Sequence, residues 1–203
     1  RKPLAVQRRE AILAVLRERG ARRVGDLGCG SGALTRDLLA DSRFEHVTAV
    51  DVSARALQLA ARQLRLDQLP DRKRERLTIF QTSLTYRDAR LAGLDAAVLM
   101  EVIEHLDPDR IPALERVVFG AAAPATVVVT TPNAEYNPHF ETLPAGARRH
   151  RDHRFEWTRA EFRDWAERTA AAHGYAVRYL PVGDDDPEVG PPTQLAVFRR
   201  VAA

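Results

Sequence analysis

The residues best placed to do chemistry form the short motif Glu101-Val-Ile-Glu104-His105. On a helical turn, positions i, i+3 and i+4 share one face, so the two carboxylates and the imidazole would converge. Two oxygens and one nitrogen suit a divalent cation such as Mn²⁺, and they suit Mg²⁺ less well because of the imidazole. A charged helix face in solvent would show the same spacing. The position of the motif in the fold therefore decides between a metal site and a solvated surface.

A glycine-rich turn, Gly28-Cys29-Gly30-Ser31-Gly32, forms a second candidate site. Glycines at such a turn let the backbone approach a ligand at the N-terminus of the next helix, and Asp51 lies where a carboxylate would bind ribose hydroxyls. These features occur in dinucleotide sites as well as in S-adenosylmethionine sites. Asp26 favours S-adenosylmethionine, because a carboxylate would repel a pyrophosphate, whereas S-adenosylmethionine carries a sulfonium and an ammonium group.

The carboxylate–histidine motif and the glycine-rich turn must both be positioned by secondary structure, and the sequence alternates between strand and helix patterns. Apolar and β-branched runs predict strands at residues 23–27, 46–50, 77–80, 94–100, 126–130, 177–180 and 195–201. Helical patterns occupy residues 6–19, 33–39, 54–69, 108–119 and 159–172. Ser53 is the expected N-cap of the third helix, and Thr158 with Glu161 forms a capping box for the last one.

This alternation predicts an α/β fold, and the run Asp26-Leu-Gly28-Cys-Gly30-Ser-Gly32 resembles the cofactor motif of the Rossmann-like class I S-adenosylmethionine-dependent methyltransferases. We expect a mainly parallel seven-stranded sheet with helices on both faces. Ligands of such folds bind at the carboxyl ends of the strands. The expected methyl-donor residues lie near those ends: Asp26, Gly28, Gly30, Asp51, Val52, Ser83, Leu84 and Met100.

Composition limits the remaining possibilities. The 203 residues suffice for one α/β domain, and we interpret residues 1–203 as a single methyltransferase domain. Because the first residue is Arg1 and not Met, we expect a domain excised from a longer chain. The apolar runs are too short to cross a bilayer, no signal peptide is evident, and the lone Cys29 suits a reducing cytosol. We therefore expect a cytoplasmic protein.

Three motifs that follow one another along the chain indicate a resemblance to one protein family. They are Glu101-x-x-Glu104-His105, Thr131-Pro-Asn133-x-Glu135-Tyr136-Asn137 and Asp152-His153-Arg-Phe155-Glu156-Trp157-Thr158-Arg159. Together with the turn that begins at Asp26, they resemble the small-RNA 3′-terminal ribose 2′-O-methyltransferases of the Hua-enhancer type, whose bacterial branch acts in RNA repair. The resemblance covers the chain from Arg23 onward.

The resemblance implies a metal-dependent RNA methyltransferase that modifies the 2′-hydroxyl of the 3′-terminal ribose and protects the end. In that family two Glu and two His hold the metal, here Glu101, Glu104, His105 and His153, and these four are also the expected catalytic residues. Either histidine could accept the substrate proton if it is not held as a metal ligand. The implied partners are an RNA 3′ end with free 2′- and 3′-hydroxyls and an end-healing and sealing repair protein, with no membrane.

The polar segment 132–154 is the expected RNA contact. Four arginines and two histidines lie between residues 148 and 154, although the net charge of the whole chain is only +3. Tyr136 could stack on a base, and the arginines could bind phosphates. A solvated loop is the alternative interpretation. The expected RNA-binding residues are Asn133, Tyr136, Asn137, Arg148, Arg149 and Arg154.

Two other functions fit part of the pattern. A metal-dependent O-methyltransferase acting on a small vicinal diol or catechol would share the metal residues but would not need the arginines near His153. A non-catalytic RNA-end-binding module would need neither the cofactor motif nor the metal motif. Salt-dependent RNA binding would argue against the first, and methyl transfer would argue against the second.

Overall fold

Seven strands form the centre of the molecule. Their bounds are β1 Arg23–Leu27, β2 His46–Asp51, β3 Leu77–Gln81, β4 Ala96–Met100, β5 Thr126–Pro132, β6 Tyr175–Val182 and β7 Thr193–Arg200. They make one sheet in the order β3-β2-β1-β4-β5-β7-β6. The first five strands are parallel, and β7 runs antiparallel to both β5 and β6. The mainly parallel seven-stranded sheet predicted from the sequence is confirmed in this computed structural model, which describes residues 1–201.

Helices cover both faces of the sheet. They are α1 Leu4–Glu18, α2 Ala33–Leu39, α3 Ala54–Gln63, α4 Asp71–Glu75, α5 Ile111–Glu115 and α6 Arg159–His173. Successive side chains of a strand point to opposite faces, and in β5 Val128 joins one core while Val127 and Val129 join the other. The first core packs against α1, α2 and α3, and the second packs against α5 and α6. No helix within residues 1–201 is long and apolar enough to cross a bilayer.

The helix predicted for residues 54–69 is shorter than expected. α3 ends at Gln63, and Arg65 has a left-handed φ of 50°, which an α-helix cannot continue through. A 3₁₀ turn and α4 follow before β3 begins. Leu64 is buried in the first core, so the chain turns there to reach the sheet edge. The predicted cap of this helix is confirmed, since the Ser53 hydroxyl accepts a hydrogen bond from the Ala56 amide.

The helix predicted for residues 108–119 is also irregular. A 3₁₀ turn precedes α5, and α5 continues as a wider π-helical segment, Arg116–Ala122. This segment buries three successive side chains, Val117, Val118 and Phe119. An α-helical apolar stripe would leave one of three successive positions outside the core. The other predicted elements are present with ends shifted by a few residues.

Candidate active site

A cleft of about 620 Å³ opens at the carboxyl ends of the parallel strands. It brings together most of the residues predicted to bind the methyl donor. They come from the turn after β1, the end of β2 and the segment after β3: Gly28, Gly30, Asp51, Val52, Ser83 and Leu84.

The glycine-rich turn has a shape that only glycine supports. Gly28 has φ 83°, and a Cβ added to it would lie 2.6 Å from Cγ2 of Val102. Its amide donates to the Val50 carbonyl oxygen at 2.8 Å, which ties the turn to β2. The Asp51 carboxylate accepts a hydrogen bond from the Gly30 amide at 2.9 Å. The turn is therefore held open with its backbone along the cleft.

Asp26 and Met100 were predicted with this group but do not line the cleft. Asp26 lies in β1 just before the turn, with a side chain only 1% exposed. Its Oδ2 accepts a hydrogen bond from Thr35 Oγ1 at 2.7 Å, and its Oδ1 has no partner in the described part of the chain. Burial raises the pKa of this carboxyl to about 6. Met100 is partly buried and packs against the first core.

Several residues of the cleft wall were missed by the sequence reasoning. Thr85 and Tyr86 directly follow the predicted pair after β3, so a wider window would have included them. Arg110 comes from another part of the chain, and its guanidinium donates to Thr85 Oγ1 at 3.1 Å. The full set of missed wall residues is Thr82, Thr85, Tyr86, Val102, Leu106, Arg110 and Leu114.

Glu104, His105 and His153 form a compact group beside this cleft. One donor atom from each lies within 4.8 Å of the others, and His105 also lines the cleft. Glu104 is fully buried, and its Oε2 accepts a hydrogen bond from Thr131 Oγ1 at 3.2 Å. Its Oε1 has no hydrogen-bond partner within residues 1–201. A free buried carboxylate oxygen with two imidazoles is a donor set that fits a divalent cation.

The electrostatics of this group also favour a cation. Burial raises the pKa of Glu104 well above its usual range, and repulsion by Glu101 adds to the effect. Burial lowers the pKa of His105, with His153 as a second cause. Metal ligands must be deprotonated carboxylates and neutral imidazoles. A bound cation would offset the cost of the buried negative charge.

His153 is oriented by a carboxylate. Its Nδ1 lies 2.6 Å from Oε2 of Glu156, a side chain that is almost fully buried. Glu156 also accepts hydrogen bonds from Asn137 Nδ2 at 2.8 Å and from the Arg149 amide at 3.0 Å. A carboxylate on one ring nitrogen of a metal-binding histidine leaves the other nitrogen for the metal. No sequence rule singled out Glu156 for this task.

Glu101 is the predicted metal ligand that the structure does not bring into the group. The motif forms a 3₁₀ turn, Ile103–His105, in place of the expected α-helical turn, and Glu101 precedes it with φ 56°. Its Oε1 pairs with Arg8 Nη2 at 2.8 Å, and its Oε2 accepts a hydrogen bond from Thr130 Oγ1 at 3.2 Å. The predicted convergence of Glu101, Glu104 and His105 on one face of a helical turn is therefore not seen for Glu101. Its partner is Arg8, which the sequence did not indicate.

Three of the residues expected to bind RNA have other partners. Asn133 is fully buried, and its amide donates to the Val189 and Pro191 carbonyl oxygens. The Arg149 guanidinium donates to the Asn133 carbonyl oxygen at 2.5 Å and to Asn137 Oδ1 at 2.6 Å. The side chains of Asn133 and Arg149 thus link the segment after β5 to the chain before β7, and Asn137 is joined to them through Arg149.

The other three remain accessible. Arg148 and Arg154 are exposed; Arg148 Nη1 also donates to the His153 carbonyl oxygen at 3.0 Å, and Arg154 forms an exposed ion pair with Asp107 at 3.6 Å. Tyr136 is half-buried and lies against His139, with ring centroids 4.7 Å apart. A second cleft of about 580 Å³ is lined in part by Arg148 and also reaches Glu156, the partner of His153.

Comparison with known proteins gives these sites a context. The methyltransferase domain family matches residues 26–127. The small RNA 2′-O-methyltransferase of Rattus norvegicus is 36% identical over 98% of this chain and 52% of its own length. The chain thus spans about half the length of the curated relatives it matches.

Solved structures of methyltransferases are also similar to this chain. The methyltransferase domain of bacterial CtHen1-C is 50% identical with a TM-score of 0.91, over 98% of this chain and 100% of that one. A chain of the Pnkp1/Rnl/Hen1 RNA repair complex has a TM-score of 0.71 and 23% identity, over 98% of this chain and 42% of that one. That second likeness is one of fold. The predicted class I methyltransferase fold is confirmed.

Proposed function

This chain belongs to the small RNA 2′-O-methyltransferase family, and we propose that it transfers a methyl group from S-adenosylmethionine to the 2′-hydroxyl of the 3′-terminal ribose of RNA. The observation that carries the proposal is the junction of two sites at His105. This residue lines the cleft and also belongs to the group with Glu104 and His153. A hydroxyl bound at that group would lie beside the methyl donor.

The cleft residues have distinct roles in the proposal. Asp51 would bind the ribose hydroxyls of S-adenosylmethionine, and Ser83 and Leu84 would flank its adenine. Backbone groups of the glycine-rich turn would contact the amino-acid portion. Asp26, buried before the turn, would act through its charge on the ammonium group. Val52, on the cleft wall, and Met100, beneath it, would shape the pocket.

Glu104, His105 and His153 would hold one divalent cation, with Mn²⁺ preferred and Mg²⁺ as the alternative, and Glu101 would be the fourth ligand. When bound, the cation would lower the pKa of the substrate hydroxyl and orient it. The support is the buried oxygen of Glu104 that lacks a hydrogen-bond partner in the described residues 1–201, together with the compact donor set around it.

The transfer itself needs alignment and a proton acceptor. The 2′ oxygen forms a bond to the methyl carbon while the sulfur–carbon bond breaks, so the cationic sulfonium becomes a neutral thioether. The cleft aligns the donor for this in-line attack. The hydroxyl proton would pass to His105 or His153, whichever of the two does not hold the metal at that step, and the burial that lowers the pKa of His105 favours its neutral imidazole.

The substrate would be an RNA 3′ end with free 2′- and 3′-hydroxyls. Tyr136 would stack on a base, and Arg148 and Arg154 would bind phosphates near the terminus. Asn133, Asn137 and Arg149 would support that surface from below. By family resemblance, we propose methylation as end protection in RNA repair, a cytoplasmic location, and an end-healing and sealing protein as partner. We also propose that residues 1–203 form one methyltransferase domain.

Methyl transfer from labelled S-adenosylmethionine tests the proposal. The acceptor is a short RNA, with and without added Mn²⁺, beside a matched RNA that ends in 2′-deoxyribose. We expect Mn²⁺-dependent label in the first RNA and none in the second. Equal labelling of both RNAs, or labelling of catechol without RNA, would overturn it.

The substitution Glu104→Gln tests whether the proposed metal site is needed for methyl transfer. Loss of the carboxylate removes a proposed metal ligand, and we expect a rate at least about 100-fold lower. Asp109→Asn is the matched control, because Asp109 is exposed on the next turn of the chain and should leave the rate within about twofold. Glu104 does not line the cleft, so binding of S-adenosylmethionine, measured by calorimetry, should persist. A rate for Glu104→Gln like that of the control would contradict the role.

A further inference from the structure

We infer that Arg8 competes with the metal for Glu101 and thereby lowers the metal affinity of the site. The inference rests on the proposed function, since the site is the one proposed to hold the cation. Arg8, a residue of α1, would therefore neither bind the metal nor support a metal ligand, but would weaken metal binding.

The contact is direct and largely shielded from solvent. Arg8 Nη2 lies 2.8 Å from Glu101 Oε1, and the two side chains are 15% and 20% exposed. The same nitrogen lies 3.2 Å from Thr193 Oγ1 in β7, and Nε has no partner among the described residues. Glu101 is thus the carboxylate in direct contact with the Arg8 guanidinium, and salt and water screen such a shielded pair poorly.

A cation at the group beside Glu101 would need the same carboxylate. Glu104, His105 and His153 are already together, whereas Glu101 is turned toward Arg8. If Glu101 becomes the fourth ligand, the guanidinium loses its charged partner and lies close to a second positive charge. Both effects oppose metal binding.

The backbone of Glu101 lets the side chain change partners while the chain stays in place. Its φ of 56° is unusual for a residue with a side chain. Its amide is held by the carbonyl and hydroxyl oxygens of Thr130, each at 3.1 Å. Arg8 and the metal are therefore linked through one carboxylate, and each weakens the hold of the other.

The opposite view is that Arg8 positions Glu101 for the metal. The two views predict opposite signs when the charge of Arg8 is removed. Competition predicts tighter metal binding, and positioning predicts weaker binding. The sign of the change therefore decides between them.

Calorimetric titration of Mn²⁺ into Arg8→Gln and the unmutated chain, at pH 8 without S-adenosylmethionine or RNA, tests the inference. We expect the variant to bind Mn²⁺ about five- to tenfold more tightly. Arg9→Gln is the matched control, because it removes the same charge from α1 but breaks contacts away from Glu101, namely the Arg9–Asp37 pair at 2.7 Å and a hydrogen bond to the Ala5 carbonyl oxygen at 3.3 Å. Its affinity should be unchanged.

A double-mutant cycle shows whether the effect passes through Glu101. In a Glu101→Gln background, the gain from Arg8→Gln should fall below about twofold. A gain that persists there would mean general charge repulsion and would overturn the inference. If Arg8→Gln fails to unfold cooperatively, Arg8→Met, which keeps the length and loses the charge, takes its place.

The outcomes separate this inference from the proposed function. Mn²⁺ binding by the unmutated chain with equal or weaker binding by the variant overturns the inference alone. Absence of Mn²⁺ binding in both proteins overturns the proposed metal site, and this inference with it. Tighter binding by Arg8→Gln but not by Arg9→Gln supports both.

Discussion

At the scale of single residues, the site is defined by buried carboxylates that lack full hydrogen bonding. Asp26 and Glu104 each keep one oxygen without a partner within residues 1–201, and burial raises the pKa of both. Such groups destabilise a ligand-free protein because the charged form is poorly solvated. Cationic ligands would offset this cost, which is why both carboxylates fit a site for a cationic donor and a metal.

Asp26→Asn should separate stability from cofactor binding. The folded pKa of about 6 lies above the ordinary value of 3.8, so the stability associated with Asp26 is greatest below about pH 4 and is lost as the pH rises through 6. The difference corresponds to roughly 3 kcal/mol at pH 8. We expect Asp26→Asn to raise the melting temperature of the ligand-free protein at pH 8, with a gain that disappears toward pH 4. Thermal unfolding across that range is the measurement.

The same substitution should weaken binding of S-adenosylmethionine, because an amide cannot attract the ammonium group through charge. Asp67→Asn, an exposed residue of the segment after α3, is the control for a general change of charge. A lower melting temperature at pH 8, or an unchanged cofactor affinity, would contradict this account of Asp26.

At the scale of secondary structure, α6 fixes the segment that carries His153. The Ala134 amide donates to the Trp157 carbonyl oxygen at 3.0 Å, directly before the helix begins. The capping box predicted from the sequence is confirmed, with the Thr158 hydroxyl bound to the Glu161 amide and the Glu161 carboxylate bound to the Thr158 amide. Phe162 and Trp165 anchor the helix in the second core.

Thr158→Ala should lower stability by removing one half of this cap. A lost N-cap costs about 1 kcal/mol, which in a chain of this size lowers the melting temperature by about 2–4 °C. Thr158→Ser keeps the hydroxyl and should stay close to the unmutated protein. Differential scanning calorimetry of both variants measures the effect, and an equal loss for alanine and serine would show that the hydroxyl is not the cause.

At the scale of the whole molecule, charge is unevenly distributed. The chain carries a net charge of only +3, yet exposed Arg148, Arg151 and Arg154 lie close in sequence to His153. Phosphates are the same at every nucleotide, so contacts of this kind carry little sequence information. The proposed enzyme would therefore recognise the end of the RNA and not its bases.

We expect methylation rates to vary by less than about tenfold among single-stranded RNAs that differ only in their terminal bases. RNA binding should weaken as salt rises, and Arg154→Gln should reduce the slope of that dependence by about 0.7 if it removes one phosphate contact. Arg178→Gln is the control, because Arg178 pairs with Glu18 at 3.2 Å on α1, away from the cleft residues. A larger spread among RNAs would mean that the site reads a base.

The sequence alone determined the local parts of the site. The glycine-rich turn, the Ser53 cap and the capping box depend on residues a few positions apart, so their spacing could be read directly. The predicted strands also placed Gly28, Asp51 and Ser83 on one edge, because parallel strands end on the same side of a sheet.

Only the tertiary structure decided which of these residues face a ligand. Glu101 pairs with Arg8, and Asn133 and Arg149 bind backbone groups near β7, because packing joins segments that are distant in the chain. No periodicity records such contacts. The raised pKa values of Asp26 and Glu104 could not be predicted from the sequence either, because burial depends on every element packed around these residues. Spacing thus identifies the chemical groups, and packing determines their partners and their charge.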